Sequence, residues 1–293
     1  MADFPRTEMG GVSVSRLVMG TNWWLGFSHT SQAKDCLIRE TMTAEKIADV
    51  MEVFLRAGVD TSLGTRPEEK VQKAVKIAED RVGRHIIQVG TPGFNLDGSA
   101  KAASDNEAAV AAYKKIGCEF CWPHQSTTDA LCNRVTRSFP GMPSILKLIR
   151  DHKMIPGLST HMPEAPVYAD ECGLDCEGYV QIYNAVGFLM QIEVDWVHRM
   201  IWQCKKPVIT IKPLAVNKVM PLVGMAFNWA TIRDCDMVCI GTSTPDEAKE
   251  ILEISHSILE RRQDTVQLQR TRSKASVERK KKSGPSDRPT ANA

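Results

Sequence analysis

The sequence predicts a (β/α)8 TIM barrel, an α/β fold, and three observations carry that expectation. Short apolar, β-branched runs alternate with amphipathic helical runs; there are eight of the former; and no linker-like segment interrupts residues 15–262. Eight βα units in about 250 residues suit a closed barrel better than an open sheet.

The expected strands are 15–21, 57–64, 85–91, 118–124, 154–160, 179–186, 207–215 and 237–243. Three helix starts between them are legible. Thr43 is placed to cap a helix whose apolar face is Ile47, Val50, Met51, Phe54 and Leu55, at three-and-four spacing. Pro67 reads as a first helical residue, followed by Glu68 and Glu69, which favour the positive helix end. Thr244-Pro245-Asp246-Glu247 forms a capping box with proline in the first turn. The expected organisation is a barrel over residues 1–262 and a flexible basic tail over 263–293.

Composition is ordinary for a globular protein, with 43% hydrophobic and 25% charged residues among 293. No apolar run reaches the ~18 residues of a membrane span. The opening MADFPRTEMGG has no apolar core of the kind a secretory signal carries. Nine cysteines, an odd number scattered through strand-like and helix-like runs, favour reduced thiols and a cytoplasmic protein. The net charge of +2 conceals an asymmetry: from Arg270 onward there are eight Lys/Arg against two acids, leaving 29 basic and 33 acidic residues, or −4, in the body. So polar a tail is expected to be disordered and solvated, with nucleic acid expected at most as a weak contact of the tail. The expected partner is a small-molecule substrate; oligomeric state is not legible.

Barrel enzymes carry their chemistry at the C-terminal ends of the strands. Those ends hold Trp23 and Trp24; Asp60; Thr91; Trp122 and His124; Ser159 and His161; Gln181 and Asn184; Lys212; and Ser243 with Thr244. A carboxylate, two imidazoles and an ammonium would converge on one mouth walled by tryptophan. Each has a structural alternative: Asp60 as a loop cap, the imidazoles as satisfied core groups, Lys212 as a solvated ammonium. Trp23 and Trp24 cannot both face inward, since neighbours on a strand alternate. Cys118 and Cys121 would, on a strand, face opposite sides, and no second pair stands at zinc-ribbon spacing. A metal on His124, His161 and Asp60 is conceivable from strand-end position alone, but none is predicted. No Gly-rich phosphate loop is present.

Seven segments, in order and register over about residues 9–260, resemble the aldo-keto reductases: MGGVSVSRLVMGTNWW, AGVDTS, IGCEFCWPHQS, IPGLSTHMPEAP, VQIYN, VITIKPLA and IGTSTPDEAKEIL. The resemblance implies a short N-terminal β-hairpin before the barrel and a carbonyl reduced by hydride from NADP(H). It implies a Tyr acid supported by Lys, Asp and His. Asp60 stands at the Asp position and His124 at the His position. No Tyr follows Asp60, and Gly90-Thr91-Pro92 stands where the Lys belongs. A Tyr acid needs a nearby ammonium to lower its pKa, and Thr91 and Pro92 supply none. Ser159 and Gln181 match residues holding the nicotinamide amide, while Thr160 replaces Asn and Ile211 an aromatic. Gly241, Ser243 and Thr244 would present amides to a phosphate at a helix start; the basic partner is missing there, and Ile251 stands in an Asn position. Trp23, Trp24, Trp122, His161 and Asn184 would line the substrate.

Three functions follow from these residues. The resemblance implies an oxidoreductase with a rebuilt proton relay, His124 as acid, Asp60 orienting it and Lys212 stabilising negative charge. The second is a non-redox lyase, isomerase or hydrolase, with Lys212 as a Schiff-base amine or a base. The third is a ligand-binding pseudoenzyme.

Overall fold

Gly10 and Gly11, at φ of +56° and +79°, make the two-residue turn between β1 (Arg6–Met9) and β2 (Val12–Ser15), which pair antiparallel. The expected hairpin is therefore present in this computed structural model, which describes residues 3–269 with 271 and 274. Apart from Thr271 and Lys274, the basic tail from Arg270 onward lies outside the described residues. Met9 and Val14 pack with Ile87 and Met237, each the first residue of a barrel strand, so the hairpin closes the end where the strands begin.

The parallel strands are β3 (Leu17–Gly20), β4 (Thr61–Thr65), β5 (Ile87–Gly90), β6 (Phe120–Cys121), β7 (Ile155–Pro156), β8 (Leu158–Ser159), β9 (Tyr179–Ile182), β10 (Val208–Ile211) and β11 (Met237–Ile240). Their order is β7-β6-β5-β4-β3-β11-β10-β9-β8. β7 and β8 are two halves of one stave broken at Gly157, so the sheet closes with the eight staves expected. Gly157 is required there: a Cβ would stand 2.3 Å from the Trp122 ring, which fills the barrel interior.

Side chains alternate across the wall. Val18, Val89, Phe120, Trp122, Val180, Ile209 and Cys239 face inward, whereas Leu17, Met19, Tyr179, Val208, Val238 and Ile240 face the helices. Among those helices, Ala44–Arg56 buries Ile47, Val50, Met51, Phe54 and Leu55, the face its periodicity predicts. Thr43 caps it by accepting from the Lys46 N–H. Thr43→Ala should cost about 1 kcal/mol, read as a lower denaturant midpoint at unchanged slope.

Helix Pro245–Leu259 begins with the expected capping box, Thr244 Oγ1 accepting from Glu247 N–H. Pro67 is not helical. Glu68 is the N-cap and the helix runs Glu69–Val82, because β4 continues to Thr65 and the chain needs the intervening residues to turn. Trp23 and Trp24 lie on a single helical turn, Asn22–Leu25, not on a strand. Cys118 and Cys121 both face the helix layer, contrary to strand alternation, because Cys118 precedes the strand. Among the described residues no helix is long and apolar enough to cross a membrane.

Candidate active site

A pocket of about 380 Å3 opens at the end where the strands finish, near the small end of ligand sites, which run to about 1,000 Å3. Trp23, Leu63, Val180 and Ile211 give it apolar walls. Its polar lining includes His29, Arg66, Thr91, His124, Ser159, His161, Lys212 and Asn217, and no carboxylate among the described residues. Barrel geometry accounts for the location, since Arg66, Thr91, His124, Ser159, His161 and Lys212 sit on or just after strand ends, while His29 and Asn217 reach it from loops.

Lys212 owes its position to a departure from regular strand structure. Ile209 and Ile211 point inward from β10, so alternation would turn Lys212 toward the helices. Its φ of +61° breaks the alternation, and Ile211 and Lys212 both line the pocket. A lysine at positive φ before a proline is doubly disfavoured, a strain of the order of 1–3 kcal/mol that tends to occur at working sites. Among the described residues Nζ has no hydrogen bond or ion pair. Burial, only slightly opposed by the Cys239 thiol, brings its pKa from 10.5 down to about 8.

Three imidazoles share this field. Burial pulls His161 down to about 3, helped by Lys212, His124 and His29, so it stays neutral at physiological pH. Burial, then Arg66 and Lys212, lower His124; burial, then Lys212, lower His29, with Asp35 opposing. The Ser126 N–H donates to His124 Nδ1, placing the proton of the neutral ring on Nε2. His124 can therefore donate a proton to an oxygen. Asp129 fixes the turn carrying His161, accepting from the Thr160 hydroxyl and the His161 N–H.

Several expected site residues lie elsewhere. Asp60 precedes β4 at the hairpin end, where it pairs with Arg6 at 2.7 Å and its N–H meets Ser15 Oγ. The strand runs to Thr65, so Leu63 reaches the pocket instead. The set His124, His161 and Asp60 is accordingly not assembled. Gln181 is buried between outward Tyr179 and Tyr183, facing the helices; its Nε2 donates to Ile182 O, and its Oε1 has no partner among the described residues. Asn184 organises its own loop, accepting from the Val186 and Phe188 N–H groups and donating to Phe188 O. Trp24 is buried against the helices with Nε1 donating to Thr242 O, and Trp122 is packed inside the barrel below the pocket. Ser243 and Thr244 are occupied by their own helix: the Ser243 N–H donates to the Glu247 carboxylate and Thr244 caps Glu247. Of the expected residues, Trp23, Thr91, His124, Ser159, His161, Lys212 and Gly241 do line the pocket.

His29, Arg66, Asn217 and Cys239 are lining residues that sequence reading did not select. Arg66 directly follows β4 and stands two residues beyond the expected strand 57–64, so its place past a strand end is a signal that the sequence carries. Nothing local marks His29 or Asn217, which come from loops.

Among solved structures, the chain is similar to two that are described as aldo-keto reductases of Pseudomonas aeruginosa. Identity is 16% and 15%, TM-score 0.61 and 0.62, with 88% of this chain and 98% and 97% of the others covered. It is also similar to an aldo/keto reductase of Brucella melitensis, at 14% identity and TM-score 0.53, over 88% of this chain and 99% of that one. The fold is that of the aldo-keto reductases. No family model matches this sequence, and no curated protein matches it.

Several residues that the aldo-keto reductase resemblance assigns to a dinucleotide are not placed to hold one. At the helix start where a phosphate would sit, Glu247 already accepts an amide and Asp246 adds a second negative charge. Gln181 faces away from the mouth, and Ile211 offers no aromatic face. Of the residues implied to contact the dinucleotide, Ser159 and Gly241 line the pocket of this aldo-keto-reductase-like barrel.

Proposed function

We propose that this chain is an enzyme of amine-based carbonyl chemistry, a lyase or isomerase acting on a small carbonyl-containing or sugar-like molecule. The half-buried, unpaired Lys212 amine in the pocket lining carries this reading. Neutral Nζ adds to the carbonyl carbon, forming a C–N bond while the oxygen takes up a proton. Loss of that oxygen as water, with both amine protons accounted for in it, leaves an imine at Lys212. His124, with its proton on Nε2, is the donor to the departing oxygen, and it is returned to its starting state by taking up one of the amine protons. His161 stays neutral, and Trp23 with Ile211 keeps the amine poorly solvated.

Borohydride reduction in the presence of glyceraldehyde tests this. A mass increment on the peptide containing Lys212 is expected, and its absence from the unmodified full chain would overturn the reading. A second reading, an oxidoreductase with a rebuilt relay, is favoured by the fold and by Ser159 and Gly241 at the mouth. NADPH fluorescence titration in parallel separates the two: saturable binding without a trapped adduct supports the reductase.

A further inference from the structure

Resting on the imine-forming reading, we infer that the substrate is a carbonyl compound bearing an oxyanion, and that Arg66 is the residue that selects it. Arg66 is the first residue beyond β4, where a barrel places ligand-binding groups. It lines the pocket, and its guanidinium lies over the Phe27 ring, 4.8 Å from the centroid, with Phe27 also in the lining. This cation–π contact holds the guanidinium against the ring without using its N–H donors. Among the described residues those donors have no hydrogen bond or ion pair, and the pocket contains no carboxylate to serve them.

Complementarity therefore asks for the negative charge to come from the ligand. A carboxylate or a phosphate presents two oxygens to a guanidinium fork. Lys212 and Arg66 come from β10 and β4, on different sides of one 380 Å3 chamber. A short molecule with a carbonyl at one end and an oxyanion at the other can engage both. A 2-oxo acid and a phosphorylated ketose fragment share this chemistry.

Two measurements on the full chain test the inference. The first is independent of imine chemistry: the His124 titration is followed by NMR with saturating inorganic phosphate or acetate. Arg66 is among the cations that lower His124, so an anion on it should raise the His124 midpoint in the wild type but not in Arg66→Gln. No shift with either anion, or an equal shift in both proteins, overturns the inference. The second compares borohydride trapping of pyruvate with methyl pyruvate, and of dihydroxyacetone phosphate with dihydroxyacetone. Trapping should favour the charged member at least ~10-fold in one pair, which distinguishes carboxylate from phosphate. In Arg66→Gln that ratio should fall toward one, while Arg66→Lys, which keeps charge but loses the fork, retains part of it and controls for folding. A ratio unchanged by Arg66→Gln overturns the assignment of Arg66. No adduct with any compound, beside a normal anion-dependent His124 shift, overturns the imine reading and leaves the anion site supported.

Discussion

Lys212→Met is expected to eliminate the trapped adduct and to lower carbonyl turnover by at least ~1,000-fold, since among the described residues no other lysine lines the pocket. The wild-type pH profile should carry the signature of this group. At pH 7 a lysine with pKa about 8 is roughly 10% free amine, against roughly 0.03% at the ordinary 10.5, a gain of about 300-fold. The rate should thus climb nearly tenfold per pH unit up to about pH 7 and level off above 8. Stability should move the other way on mutation. The folded pKa lies below the unfolded one, so the ammonium penalises folding fully below pH 8, and the penalty fades as pH rises to 10.5. Lys212→Met should therefore melt higher than wild type at pH 7, by the order of 2 kcal/mol, with the difference closing above pH 10.5. A profile without a step near pH 8, or a variant with residual trapping on the same peptide, would remove Lys212 from its role.

The largest stability loss is expected from Asp236→Ala. Asp236 is fully buried just before β11. Its carboxylate accepts from the Val208 N–H at 2.9 Å and from the Arg233 N–H, Nε and Nη2 at 3.0, 2.9 and 2.7 Å. Arg233 in turn donates to Cys204 O and Lys206 O, so one carboxylate ties the start of β10 to the start of β11. Removing it leaves a guanidinium and a strand amide without their partner in low dielectric, at about 3–5 kcal/mol. Calorimetry should show a melting point lower by about 10 °C. Asp236→Asn, which still offers Val208 an acceptor, should lose less. A loss under about 1 kcal/mol would mean that Arg233 finds solvent instead, and would contradict the network's structural weight.

Residue types and their alternation made the fold legible. The hydrophobic faces of the strands, the Thr43 and Thr244 caps and the Gly10-Gly11 turn are local, and local chemistry is enough to place them. The site was legible where a polar residue stood just past a strand end, as with His124, His161 and Ser159. It failed at Asp60, which lies inside the expected strand 57–64 rather than at its end and which precedes β4 in the structure; Arg66, just past that strand, is the residue that reaches the mouth. Gln181 and Asn184 were misassigned by face and by loop packing, and Trp24 by its place on a helical turn.

The rim of strand ends was thus legible in the sequence alone: eight βα units in about 250 residues suit a closed barrel better than an open sheet, and closure gathers their C-terminal ends into one mouth. Which side chains enter that mouth was decided by tertiary structure. A strand's period is two residues, so one step of register exchanges inside for outside without altering the hydrophobic pattern. Lys212 shows the limit most clearly. Its identity and position are plain in the sequence, but only the left-handed backbone turn at β10, held by the packed barrel, brings its amine into the pocket.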